Sequence, residues 1–148
     1  MRISIYLGPG KGNVVNAASV DKGNPGIGGT QYCMLELAHY LNVNTDFQVS
    51  LIAKRNYLVE EGIDFLLLKD EAVLCDIVQS INSDILIMSQ FCDKSLEKEI
   101  ANVNCKVIIW SHNYIYADFC NVKAIYVYGQ TKDVGNKIIL YSVDKILI

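Results

Sequence analysis

The chain is expected to fold as an α/β domain, a parallel sheet with helices packed on both of its faces. Three observations lead there. Short apolar runs alternate with longer stretches whose apolar residues repeat at helical spacing. The runs are apolar on successive residues, as in Ile85-Leu86-Ile87-Met88, which suits strands covered on both sides. Glycine or small polar residues follow them: Gly8 after Leu7, Ser89-Gln90 after Met88, Ser111-His112-Asn113 after Trp110. Alternating strands and helices give parallel strands joined by right-handed crossovers. Ligands of such sheets sit outside the carboxyl ends of the strands, so these followers should converge on one edge.

In order, Ile3 to Leu7 reads as a buried strand broken by Gly8-Pro9-Gly10-Lys11-Gly12. Residues 8–29 are rich in Gly and Asn and show little periodicity. A connection beyond ~12–15 residues without structure of its own is commonly functional, so this one is expected to face a ligand. A helix follows, with Cys33, Met34, Leu37, Ala38 and Leu41 on one stripe. Phe47–Ala53 and Phe65–Leu68 read as strands. Asp70 is placed to cap a second helix carrying Val73, Leu74, Ile77, Val78 and Ile81. After strand 85–88, Asp93 is placed to cap a short helix with Leu96 and Ile100, and Lys106–Trp110 forms the next strand. Ala124–Tyr128 is ambiguous between strand and loop. A helix is expected around Thr131–Tyr141, weakened by Gly135, and the last strand at Lys145–Ile148. The 148 residues suit one domain with its own core.

Composition narrows the classes. Hydrophobic residues make up 51%, which excludes a disordered chain. Net charge is −3 without a basic cluster, which argues against nucleic acid as a partner. The five cysteines, Cys33, Cys75, Cys92, Cys105 and Cys120, form no C-x-x-C pair and sit in or beside apolar segments. They read as reduced thiols of a cytoplasmic protein, not as a disulfide framework or zinc site. No run approaches the ~18 apolar residues that span a bilayer, leaving only peripheral membrane contact.

The stretch from Asn24 to Ala38 is the most informative. Glycines directly before a helix let a ligand approach the backbone closely. The first helical amides lack internal partners and carry the positive end of the macrodipole, so a phosphate or diphosphate fits there. The same residues also read as an ordinary helix start capped by Thr30. Known nucleotide fingerprints do not match. Gly8, Gly10 and Gly12 lead to no nearby helix, and Gly26-Ile27-Gly28 lacks a glycine at position 31. Gly10-Lys11 is not followed by Ser or Thr, and no D-x-D pair is present to hold a metal. Lys54-Arg55 after the second strand reads as solvated charge, with a grip on a 2′-phosphate as the rival reading.

The run Gly28-Gly29-Thr30-Gln31-Tyr32-Cys33-Met34-Leu35-Glu36-Leu37-Ala38-His39-Tyr40-Leu41 resembles the first loop and helix of glycosyltransferase family 4. The resemblance continues at Phe47–Ile52 and at Val107-Ile108-Ile109-Trp110-Ser111-His112-Asn113, the strand that in that family ends at the active-site histidine. It implies a Rossmann-like domain, the N-terminal, acceptor-side half of a GT-B retaining enzyme. It implies a nucleotide-sugar co-substrate, no metal cofactor, and a sugar, glycan or lipid-linked acceptor. Gly28, Gly29 and Thr30 would face the donor diphosphate, His112 the donor sugar, and Gln90, Ser111 and Asn113 the substrates. The family's second domain, which carries the basic residues, paired glutamates and most of the nucleotide pocket, matches no segment of these residues. Catalysis would then need that domain, on a longer chain or as a separate donor-binding subunit. A non-catalytic interaction subunit and, less readily, a nucleotide-dependent oxidoreductase domain are the other readings.

Other residues have plainer roles. His39 falls near Glu36, off the apolar stripe, and reads as solvated. Trp110 alternates with Ile109 and reads as core. Tyr114, Tyr116, Tyr126 and Tyr128 suit either an acceptor surface or strand packing, and no role is assigned to Asp118.

Overall fold

A computed structural model describes residues 1–8, 10, 12–89, 100, 102–111, 124–128 and 140–142. The strands are β1 (Arg2–Tyr6), β2 (Val15–Asn16), β3 (Gln48–Ala53), β4 (Tyr57–Leu58), β5 (Ile63–Leu67), β6 (Ile85–Ser89), β7 (Lys106–Ser111), β8 (Ala124–Tyr128) and β9 (Leu140–Ser142). The helices are α1 (Gly29–Asn44) and α2 (Leu74–Ser80). Seven strands form the main sheet in the order β5-β3-β1-β6-β7-β8-β9. All neighbours are parallel except β8 and β9. Six of the strands taken in chain order thus run 3-2-1-4-5-6, the order of doubly wound sheets, which reverses between β1 and β6.

Alternation along the strands builds two cores. Ile3, Ile5, Val49, Leu51 and Ile87 face α1 through Met34, Leu35 and Ala38. Tyr6, Ile52, Leu86, Met88, Val107 and Ile109 face α2 through Leu74, Cys75 and Val78. The continuous apolar runs exist because both faces of the central strands are covered. The Ser4 and Ser83 hydroxyls, both buried, hydrogen-bond to each other on the α2 side, which satisfies polar atoms that would otherwise be costly to bury.

Several boundaries differ from expectation. The first strand begins at Arg2, β5 begins two residues before Phe65, and 124–128 is a strand. Asp70 accepts a bond from the Ala72 N–H at 3.1 Å, but it opens a 3-10 turn at Glu71–Val73. The helix itself starts at Leu74, leaving Val73 outside it and exposed. Leu140 and Tyr141 lie in β9, not in a helix, in keeping with the strand preference of tyrosine; the rest of the helix expected around Thr131–Tyr141 lies outside the described residues. The expected helix at 93–100 and strand at 145–148 lie outside the described residues, except that Ile100 is buried in the α2-side core.

Residues 8–29 are not structureless. Val15 donates to the Asn56 carbonyl at 3.0 Å and Ala17 to that of Leu58 at 2.8 Å, pairing β2 in parallel with β4. Val15, Ala17 and Val20 are buried in the α1-side core. Apolar residues spaced two and three apart anchor this loop without forming a period long enough to read.

His39 corrects a second expectation. Its Nδ1 lies 2.7 Å from a Glu60 carboxylate oxygen, and its side chain is 27% exposed. Glu60 also accepts from Asn42 Nδ2 at 3.0 Å, so α1 is clasped to the turn before β5. The hydrogen bond to Glu60 raises the His39 pKa above its ordinary value, with Glu60, Asp21 and Glu36 adding attraction while burial opposes it. A raised histidine contributes stability that is fully present below its unfolded value of about 6.5 and is lost as pH rises through the folded one. Glu60→Gln is therefore expected to cost about 0.2–1 kcal/mol in urea unfolding at pH 5.5. The difference should shrink towards zero above pH 8.

Candidate functional site

The helix after β1 begins on glycine because no side chain is needed to start it. Gly28 is the N-cap residue (φ −61°, ψ 147°), and no side chain caps the helix, so Thr30 is not the cap. Asn24 shapes the approach. Its Oδ1 accepts from the Gly26 and Ile27 amides at 2.9 Å, and its Nδ2 donates to the Ile27 carbonyl at 3.0 Å. Gly26 holds φ +86°, a left-handed backbone that side chains disfavour. The first helical bond runs from the Tyr32 N–H to the Gly28 carbonyl, leaving the amides of Gly29, Thr30 and Gln31 ahead of the ladder. No acidic residue stands in the first turn to offset the macrodipole.

The corner is also open on the side of the described residues. Among the described residues, a Cβ on Gly29 would meet nothing within 4 Å, and one on Gly28 only Gln31 Oε1 at 4.0 Å. Gln31, which sequence reasoning passed over, links this corner to the sheet. Its Nε2 donates to the Leu7 carbonyl at the end of β1, at 3.2 Å. Gly10 lies beside it, its Cβ position 3.8 Å from Gln31 Nε2 and 3.0 Å from Arg55 Cβ.

Arg55 was read as a solvated charge and is instead half-buried against this loop. Its Nε donates to the Asn13 carbonyl at 2.6 Å, and its Nη2 is 3.9 Å from the Cβ position of Gly12. Nearby, Tyr57 is 4% exposed and its hydroxyl has no partner among the described residues. Burial pushes that phenol up, and the Arg55 charge works in the opposite direction.

No family model matches this chain, and neither a curated protein nor a solved structure does.

The parallel register brings Ser89 at the end of β6 and Ser111 at the end of β7 to the carboxyl edge where β1 ends. Gln90, His112 and Asn113, with Tyr114, Tyr116 and Asp118, lie outside the described residues. Trp110 is partly buried against the α1-side core, as expected of a packing residue. Cys33, Cys75 and Cys105 form no disulfide among the described residues, and burial pushes the Cys105 thiol up. Among the described residues no three His, Cys, Asp or Glu gather into a metal-binding group. No helix among them is long and apolar enough to cross a membrane. Two cavities of about 490 and 650 Å³ open at the amino ends of the strands, beside Asp84 and Arg2. That is the opposite edge from the glycine corner, so they do not bear on it.

Proposed function

We propose that this chain is the acceptor-side domain of a glycosyltransferase of the family 4, GT-B type, which moves a sugar from a nucleotide-sugar donor to a glycan, lipid or other acceptor. The observation that carries the reading is the start of α1: uncapped, free of acidic residues, and open at Gly28 and Gly29. It follows the first strand of a doubly wound order, where a diphosphate is the expected guest. The resemblance of residues 28–41 and 107–113 supports the assignment of that guest as a sugar nucleotide.

In this reading the amides of Gly29 and Thr30 stabilise negative charge on the departing diphosphate. His112, the residue after β7, donates a hydrogen bond to the donor sugar. Gln90, Ser111 and Asn113 contact the substrates. A donor-binding partner domain supplies the cations and the nucleotide pocket, so the 148-residue chain alone turns over no substrate.

The experiment is co-expression with a donor-binding domain of this family, followed by sugar-transfer assays. His112→Ala is expected to lower kcat about 100-fold or more, the scale of one general acid–base group, with unchanged unfolding. Unaltered turnover in His112→Ala would leave the chain as an interaction subunit. Robust transfer by the chain alone would refute the division of labour.

A further inference from the structure

The described residues of the loop that leads from β1 to β2 are met by the Arg55 side chain. Gly10 and Gly12 offer no side chains of their own, and Gly12 sits at φ +113°. Arg55, two residues beyond β3, reaches across to the loop. Its Nε–H bonds the Asn13 carbonyl, its Cβ and Cδ pack at 3.0 and 3.5 Å from the Cβ position of Gly10, and its Nη2 approaches Gly12. The Gln31 amide, which holds the Leu7 carbonyl and borders Gly28, lies 3.8 Å from the same Gly10 Cβ position. Arg55, Gly10, Gln31 and Gly28 thus form one continuous line from the end of β3 to the start of α1.

We propose that Arg55 is a positioning residue that clamps Gly10, Gly12 and Asn13 against the end of β3, so that the corner at Gly28 and Gly29 stays open to a diphosphate. The proposal rests on the diphosphate reading of that corner and adds to it the residue that shapes its mouth. Three features support it. The bond at 2.6 Å is charge-assisted and therefore stronger than a neutral one. The contact at Gly10 admits no side chain without displacing Arg55. The Nη2 group lies 3.9 Å from the Cβ position of Gly12, so the anchored guanidinium keeps its positive charge beside this loop. Arginine suits this double use because its planar fork offers several donors in fixed directions, which an ammonium does not.

Two measurements test it on the whole chain. Hydrogen exchange reads the clamp with no ligand present. The reporter is the Val15 amide, which bonds Asn56 just beyond the clamped residues. Titration with inorganic pyrophosphate reads the corner. In Arg55→Ala, Arg55→Lys and Gly10→Ala, exchange at Val15 is expected to accelerate, and pyrophosphate affinity to fall roughly tenfold, the scale of one lost charge-assisted bond. Combining Arg55→Ala with Gly10→Ala should add little, since both break one contact.

A merely structural arginine would lower the melting temperature without moving the affinity, and that result overturns the proposal. So does wild-type exchange and affinity in Arg55→Lys, which would show that charge suffices without the anchor. If the wild-type chain binds no pyrophosphate, the diphosphate reading fails. The clamp is then judged by exchange alone and is refuted if Arg55→Ala leaves Val15 unchanged.

Discussion

Gly29→Asp is expected to abolish diphosphate binding while leaving the fold as stable as before, or slightly more so. A side chain at this position clashes with none of the described residues, because a Cβ there meets nothing of theirs within 4 Å. The backbone is already helical, so the substitution introduces no strain. An aspartate in the first turn of an uncapped helix also complements the macrodipole, a gain of about 0.3–1 kcal/mol. The same carboxylate occupies the amides that a phosphate would use and repels it. At about 4 Å and an effective dielectric near 20 that repulsion is up to ~4 kcal/mol, enough to weaken binding about 100-fold or more. Gly29→Ala, which fills space without charge, should keep affinity within a few-fold. Opposite movements of stability and affinity in one variant separate a binding corner from a plain helix start. A plain helix start would show the same small gain in stability with pyrophosphate affinity unchanged.

Gly62→Ala has the largest expected effect on stability. Gly62 holds φ +92°, and a Cβ there would lie 2.6 Å from Asn42 Oδ1. A left-handed backbone costs a non-glycine residue about 1–2 kcal/mol. Moving Asn42 aside would also break its bonds to Glu60 and to the Glu61 carbonyl, both at 3.0 Å. Each such bond contributes about 0.5–1.5 kcal/mol net. The expected destabilisation in urea unfolding is about 2–4 kcal/mol, with the His39–Glu60 clasp loosened at the same time. A loss below half a kilocalorie would mean that the turn relaxes freely and that the clasp is not built on this glycine.

Legibility followed the length of the pattern. The strands at 2–6, 48–53, 85–89 and 106–111 were plain because continuous apolar runs leave few alternatives to a doubly covered sheet. Helix α1 was plain for the same reason, although the stripe omitted Leu35, which shares the core cluster of Val15, Ala17 and Val20. That omission has a physical cause: the helix packs on the sheet below and on the loop at its flank, a wider arc than one stripe describes. Short elements were lost. Two-residue strands such as β2 and β4 have no period, whereas α2 was legible from its stripe and only its start, at Leu74 and not Val73, was missed.

At the site, the glycine corner was legible because Gly28 and Gly29 directly precede a periodic helix. Gln31 and Arg55 were not. Each acts through a contact distant in sequence, Gln31 on Leu7 and Arg55 on Asn13, and nothing in their local sequence marks it. His39 shows the same limit in reverse. Helical spacing pointed to Glu36, while the fold delivered Glu60 from another element.

The central claim is that the amides ahead of the α1 ladder form a seat for a diphosphate at the carboxyl edge of the sheet. The most direct measurement is a titration of the ¹⁵N-labelled chain with inorganic pyrophosphate, followed residue by residue. The account predicts saturable shifts that are largest at Gly28, Gly29, Thr30 and Gln31, and their loss in Gly29→Asp. Shifts centred on the opposite edge, near Arg2 and Asp84, or none at millimolar pyrophosphate, would contradict it.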